Sequence, residues 1–208
     1  MTDKPSFEIE QSMSGIIAGI DEAGRGPWAG PVVAAAVILD PNNVPAGLND
    51  SKKLSEKRRE EIAIAIREHA IVGVGFASVE EIDEINILQA TFLAMARAEE
   101  NLSRNPDACI VDGSQKPKLR ALTQMVVKGD AKSLSIAAAS IIAKTTRDQI
   151  MRDLAIDHPH YCWEKNKGYG APAHRAGLDI HGVTQHHRKS FAPIHNMLYA
   201  DSDTRRAG

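Results

Sequence analysis

Four acids stand where apolar segments of this chain end. Asp21 and Glu22 follow the β-branched run Ile16, Ile17 and Ile20, Asp112 closes ACIVD, and Asp130 lies just past QMVVKG. Carboxylate oxygens are the donors that hard cations such as Mg²⁺ and Mn²⁺ take. Two such ions roughly 4 Å apart carry phosphoryl transfer at a diester, one ionising the attacking water and one stabilising the leaving oxygen. Taken singly, each acid reads as a solvated strand cap; four of them, two adjacent, favour a metal site. Neighbours in a strand point to opposite faces, so Asp21 and Glu22 share one ion only where the strand is ending, or through a side chain and a backbone carbonyl. Directly after them the stretch GIDEAGRGPWAG (19–30) turns through Gly24, Gly26, Pro27 and Gly30. Glycine lets another chain's backbone approach closely, and a nucleic-acid backbone is the obvious candidate.

The elements that must position these groups follow from periodicity. Pro31 to Leu39 is a continuous apolar run, the pattern of a central strand, paired to the first through the glycine turn. Residues 40–50 read as loop. Ser55 is an N-cap for a helix to about Ala70 with Arg59, Ile62, Ala63, Ile66 and Ala70 at helical spacing. A strand follows over 71–78, then a helix over 83–102 with the stripe Ile85, Leu88, Phe92, Met95, Ala96 and Glu99. The two short strands ending at Asp112 and Lys128 are separated by a stretch around Lys116, Pro117 and Leu119 that could hold a short helix. A long alanine-rich helix spans Ser133 to about Ile156, with Ile142, Ile150 and Leu154 inward and Ser140, Lys144, Arg147 and Met151 as a largely polar stripe. The order describes an α/β protein, a mixed five-stranded sheet flanked by helices with three acid-bearing segments at one edge, and a small, mostly helical C-terminal region. The expected division is a catalytic domain at 15–156, a substrate-contacting region at 157–200 packed on it, and flexible ends at 1–14 and 201–208.

Composition sets the outer limits. The 208 residues are 43% hydrophobic and 25% charged, with net charge -2, an ordinary globular chain in which any polyanion binding rests on a local basic surface. Cys109 and Cys162 share no metal-ligand spacing and read as free thiols in a reducing compartment. There is no secretory signal pattern and no apolar stretch long enough to span a membrane, so the expectation is a cytoplasmic protein, and nothing suggests more than a monomer. Lys52, Lys53, Lys57, Arg58 and Arg59 form a basic cluster, and Ser140, Lys144 and Arg147 lie one turn apart on a shared stripe; such clusters are most often solvated faces. Six histidines (158, 160, 174, 181, 186 and 187) crowd the C-terminal region without zinc-ligand spacing and read as surface or helix-terminal residues. Trp28 and Trp163 read as packing residues.

GIDEAGRGPWAGPVVAAAV, then DSKKLS (50–55), VDG (111–113), KGD (128–130), AAASIIAKTTRD (137–148), NKGYG (166–170) and HRKSF (187–191) together resemble bacterial ribonuclease HII over most of the chain, from about Ile16 to Pro193. The resemblance implies an RNase H-like fold and a metal-dependent endonuclease that hydrolyses the RNA strand of RNA–DNA hybrids. It also implies incision 5′ of ribonucleotides embedded in duplex DNA, leaving a 3′-hydroxyl and a 5′-phosphate, a role in ribonucleotide removal during replication and repair. Asp21, Glu22, Asp112 and Asp130 become the four metal-binding carboxylates, for two ions of Mg²⁺ or Mn²⁺. Gly24, Arg25 and Gly26 become the loop that reads the ribose 2′-hydroxyl through its backbone, the feature that distinguishes RNA from DNA at one position. Tyr169 becomes its assistant, a flat face with a hydroxyl. Lys52 becomes a phosphate contact, and Ser140, Lys144 and Arg147 candidate ones, which position a duplex without reading sequence.

Three rivals are weaker. Type HIII enzymes carry an added N-terminal domain, for which there is no room before Asp21, and type HI enzymes lack the GRG loop with its distant tyrosine. A non-catalytic binding module would be expected to have lost an acid. A dinucleotide-dependent oxidoreductase would need a GxGxxG pattern that is absent.

Overall fold

The β-branched and alanine-rich runs form the sheet, as expected. The computed structural model describes residues 4–204. Five strands, β1 (Ile17–Ala23), β2 (Val32–Leu39), β3 (Ala70–Ala77), β4 (Ala108–Asp112) and β5 (Leu122–Val126), lie in the order β3-β2-β1-β4-β5. β1 is antiparallel to β2 and parallel to β4, which is parallel to β5. The three acid-bearing strands are therefore adjacent and end on the same side.

Helices cover both faces. On one, β2 packs its Ala35, Val37 and Leu39 against Ile62, Ala63 and Ile66 of α2 (Glu56–His69) and against residues 138–143 of the long helix α4 (Leu134–Asp157). On the same face Ile17, Ala108 and Ile110 meet Ile136. Gly19 is required there, because a Cβ would lie 2.2 Å from the carbonyl carbon of Ser135. The other face is covered by α3 (Val79–Glu100), whose Ala94 and Ala98 sit so close to Gly75 and Gly73 that β3 has no room for side chains at either. Buried Glu99 of α3 accepts the amides of Arg120 and Ala121, both at 2.8 Å. That anchors the 116–121 stretch as loop and leaves no helix there, in keeping with Pro117.

Ser55 caps α2 as expected, accepting from the Arg58 amide. α3 begins earlier than the periodicity indicated, because Ser78 and Glu81 form a reciprocal capping box. It breaks at Asn86 (φ 67°), whose side chain accepts the Leu88 and Gln89 amides and starts the second segment.

Two expectations about organisation are corrected. The stretch before Gly15 is no loose end: it carries α1 (Glu8–Gln11), and Ser6 bridges Ser133. Buried Glu10 accepts from Ser133 Oγ at 2.6 Å and the Ser135 amide at 2.9 Å, satisfying the open N-terminus of α4. Residues 1–3 and 205–208, parts of the expected flexible ends, lie outside the described residues, and the helix α7 (Ala192–Thr204) continues past residue 201.

The division at residue 156 also moves. One compact unit comprises the chain up to Ala23, Val33–Phe76 and Thr91–Thr146; the other comprises Gly24–Val32, Ala77–Ala90 and the chain from Arg147. The second unit thus takes in the glycine loop, with α5 (Trp163–Asn166), α6 (Pro172–His181) and α7. Its core is Ala29, Met151, Ala155, Tyr161, Trp163, Leu178 and Ile194. The reason is chemical: buried Arg147 and Met151, expected on a polar stripe, pack under the glycine loop and commit the end of α4 to it.

Candidate active site

Within the first unit the parallel register β1·β4 ends at Ile20↔Val111, so Asp21 and Asp112 are the next residues on neighbouring strands. Ile17 and Gly19 face α4 on β1, and Ala108 and Ile110 on β4; alternation puts Asp21 and Asp112 on that same face and Glu22 on the opposite one. β1 does not end at the acids but remains paired to β2 through Ala23↔Val33.

Asp130 follows β5 in a 3₁₀ turn (Gly129–Ala131) entered through left-handed Lys128. The Gly129 amide donates to Asp112 Oδ1 at 2.6 Å, tying that turn to the end of β4. Asp21 accepts the Glu22 amide at 2.7 Å.

The electrostatics suit a cation. Burial, then the charges of Glu22 and Asp112, hold the Asp21 carboxyl well above its usual range, partly offset by a hydrogen bond from Ser140. Asp130 is also raised, by burial and by Asp112 and Asp50, with Lys52 opposing. Lys52 Nζ is 3.9 Å from Asp130 Oδ2 on a side chain 84% exposed. Among the described residues no three His, Cys, Asp or Glu side chains converge closely enough to grip an ion as they stand. The acids instead form a chain of repelling pairs, Glu22 with Asp21, Asp21 with Asp112, and Asp112 with Asp130. Their oxygen donors and mutual repulsion fit a hard divalent cation.

Lys52 sits in a turn capped by Asp50 (Lys52 N–H to Oδ1, 2.9 Å). Ser51 bonds Ser140 Oγ at 2.9 Å, and Arg59 donates to the carbonyls of Ser51 and Leu54. Arg59 is thus a brace for the Lys52 turn, while Lys144 is half-buried on α4.

In the second unit the loop from Gly24 to Pro31 rests on two buried guanidinium groups. Arg188 Nε donates to Gly30 O (2.9 Å), Nη1 to Arg25 O (3.0 Å), and Nη2 to Gly24 O (2.6 Å) and Pro31 O (3.2 Å). Arg147 Nε donates to Pro31 O, Nη2 to Ala29 O and Nη1 to Lys167 O. This corrects the expectation for Arg147: it is 1% exposed and committed to loop carbonyls, so it is not available to a phosphate. Burial pushes both groups down, to about 10 and about 9, which still leaves both charged at neutral pH. The role of Arg188 leaves no mark in the sequence, since one arginine in HRKSF carries no periodic signal.

The peptide bonds are all trans among the described residues, and in a trans peptide the C=O and the following N–H point opposite ways. Drawing the Gly24 and Arg25 carbonyls onto Arg188 therefore turns the amides of Arg25 and Gly26 away from it, on residues that are exposed. Gly24 has φ +99°, and a Cβ there would overlap Arg147 Nε. A Cβ on Gly26 would lie 3.3 Å from Tyr169 Cε1. Tyr169, 51% exposed, is thereby placed beside Gly26 despite the distance in sequence. A separate groove of 780 Å³, lined by Phe7, Glu10, Ile17, Leu39 and His69 among others, includes none of these residues.

The profile of the family Ribonuclease HII matches residues 18–194. The chain belongs to the ribonuclease HII family. A ribonuclease HII of Jannaschia sp. (strain CCS1) is 58% identical over 195 residues, covering 93% of this chain and 98% of that protein. The crystal structure of the ribonuclease H2 from Pyrococcus horikoshii OT3 superposes with a TM-score of 0.74 at 27% identity, covering 87% of this chain and 96% of that one. Bst-RNase HIII in complex with Mn²⁺ has a TM-score of 0.75 at 23% identity, covering 93% of this chain and 72% of that one, a likeness of fold. Ribonuclease HII membership makes the chain a hydrolase of the ribonuclease H class. Among the described residues no helix is long and apolar enough to cross a membrane.

Proposed function

We propose that this ribonuclease H cuts the RNA strand of RNA–DNA hybrids and incises 5′ of single ribonucleotides in duplex DNA, leaving a 3′-hydroxyl and a 5′-phosphate. The observation that carries the hydrolytic half is the pairing of Asp21 and Asp112 on one sheet face, with Asp130 joined through the Gly129 amide. Asp21 and Asp112 would hold both of two divalent ions, with Asp130 completing one and Glu22, whose side chain starts on the opposite face, completing the other through its backbone carbonyl. Mg²⁺ or Mn²⁺ bound there would supply a more acidic attacking water and charge compensation at the leaving oxygen; the relative crystallised with Mn²⁺ favours the same chemistry. Ser140 orients Asp21 by hydrogen bonding, and Lys52 lies beside Asp130, where a phosphate contact fits its exposure.

The discriminating half rests on the loop. Amides of Arg25 and Gly26 directed away from Arg188 suit a ribose hydroxyl, and the absence of a side chain at Gly26 lets the sugar lie beside Tyr169. Lys144 remains a candidate phosphate contact. The protein acts as a cytoplasmic monomer in ribonucleotide removal.

Three end-labelled duplexes of one sequence test this: all DNA, DNA with one ribonucleotide, and a continuous hybrid, each with Mg²⁺, Mn²⁺ or chelator. Metal-dependent incision 5′ of the single ribonucleotide is expected. Cutting of only the continuous hybrid would remove the role of Gly24, Arg25, Gly26 and Tyr169, and no cutting would sink the hydrolytic assignment.

A further inference from the structure

Two histidines of the second unit form a hydrogen-bonded line that ends on Tyr169. The Thr184 amide donates to His187 Nδ1 at 3.0 Å, so that nitrogen accepts and, in the neutral ring, the proton sits on Nε2. His187 Nε2 is 3.0 Å from His174 Nε2, which also receives the indole N–H of Trp163 at 3.1 Å. An indole nitrogen only donates, so His174 Nε2 is bare and its proton sits on Nδ1, 2.9 Å from the carbonyl oxygen of Tyr169. One tautomer of each ring satisfies the whole line, with the Trp163 and His187 protons sharing one acceptor. Both rings are fully buried, which corrects the surface or helix-terminal role expected of them.

The same line braces the loop. His187 bridges Ala29, the Arg188 amide donates to Trp28 O and the Trp28 amide to Gly168 O, each at 2.8 Å. We infer that His174 and His187 are positioning residues that act as a neutral, tautomer-locked relay, setting Tyr169 against Gly26 for recognition of the ribose. This rests on the reading of Tyr169 proposed above. His158, His186 and Tyr161 face His187, and Glu80 and Asp157 face His186. Burial, then the His174 ring and to a lesser extent His186 and His158, disfavour an imidazolium at His187, and burial lowers His174.

Imidazole–amide replacements dissect the line, since an Asn side-chain nitrogen can stand for Nδ1 and a Gln nitrogen for Nε2. His174→Ala and His187→Leu should each lower kcat/KM on the single-ribonucleotide duplex about tenfold, the size of a lost buried hydrogen bond. The continuous hybrid should be affected less. His174→Asn and His187→Gln should recover most of the loss, and in a Tyr169→Ala background His174→Ala should add nothing. Full additivity there, or wild-type selectivity in His174→Ala, would overturn the relay.

Two-bond ¹H–¹⁵N spectra of the intact protein provide a readout free of activity and of variant folding. They should show His174 as the Nδ1–H and His187 as the Nε2–H tautomer at neutral pH; the opposite tautomers, or a charged ring, would also overturn it. Unchanged incision by Tyr169→Ala alone would instead remove the Tyr169 reading, with the spectra still deciding whether the relay exists.

Discussion

Replacing Arg188 by methionine removes four hydrogen bonds to the carbonyls of Gly24, Arg25, Gly30 and Pro31 from a side chain that is 0% exposed. Each bond from a charged donor is worth about 1.5–3 kcal/mol, but methionine also relieves the cost of burying the cation, several kcal/mol. The carbonyls left behind are partly shielded from water, so the balance is a loss of about 3–5 kcal/mol, the range for breaking a buried charged interaction from one side. A domain with about 5–15 kcal/mol of stability keeps a folded population after that loss. Arg188→Lys, which offers a point charge in place of a planar fork, should fall between. The loop amides would lose their aim, and misplacement by about 1 Å costs roughly a hundredfold in rate. Urea unfolding followed by circular dichroism, with kcat/KM on the single-ribonucleotide duplex, measures both effects. Calorimetric Mn²⁺ binding should be unchanged, because the four acids belong to the other unit. A stability change under about 1 kcal/mol together with wild-type selectivity would refute the reasoning, since hydrogen bonds of this kind do not vanish without one or the other.

Asp112→Asn should abolish turnover while leaving the circular dichroism spectrum and melting curve in place; near-normal activity would remove the site assignment. Asp21 binds its proton more tightly folded than unfolded, so metal-free stability should fall as pH rises from about 4, the unfolded value, through the higher folded one. Asp21→Asn should remove that slope and raise the metal-free melting temperature at pH 7, at the cost of activity. His187 shifts the other way, to about 3: the unfolded chain takes the proton first, so stability should decline as pH falls from about 6.5 toward 3, by on the order of 4 kcal/mol from this ring. His187→Gln should flatten that acid limb in denaturant titrations. Gly26→Ala places a methyl 3.3 Å from Tyr169 Cε1 and should reduce single-ribonucleotide incision more than stability, as judged by parallel kinetics and thermal melts.

Much of the site was legible because its signals are local. An apolar run followed by an acid marks a strand end wherever it occurs, and glycines after Asp21–Glu22 mark a turn whatever it faces. The Ser55 cap and the α2 stripe are likewise decided within a few residues. Errors arose where a partner distant in sequence changed a residue's role. Glu10 looks like one charge in a polar leader until Ser133 and Ser135 bury it. Arg147 looks like a solvent-facing cation one turn from Lys144 until the carbonyls of Ala29, Pro31 and Lys167 engage its guanidinium. Arg147 and Met151 on α4 are buried although their stripe reads as polar, because the glycine loop and the second unit's core pack over them, and periodicity reports only a helix with one wet face.

The residue types and their order determined the acids, the glycine turn, the strands that carry them and the family they belong to, because each depends on short-range pattern or on identity alone. Tertiary structure decided which groups meet: the parallel register that sets Asp21 beside Asp112, the guanidinium groups under the loop, and the histidine line behind Tyr169. Hydrogen bonds that span up to 164 residues of chain leave no periodic trace, and a buried cation or a locked tautomer exists only once the surrounding chain has excluded water.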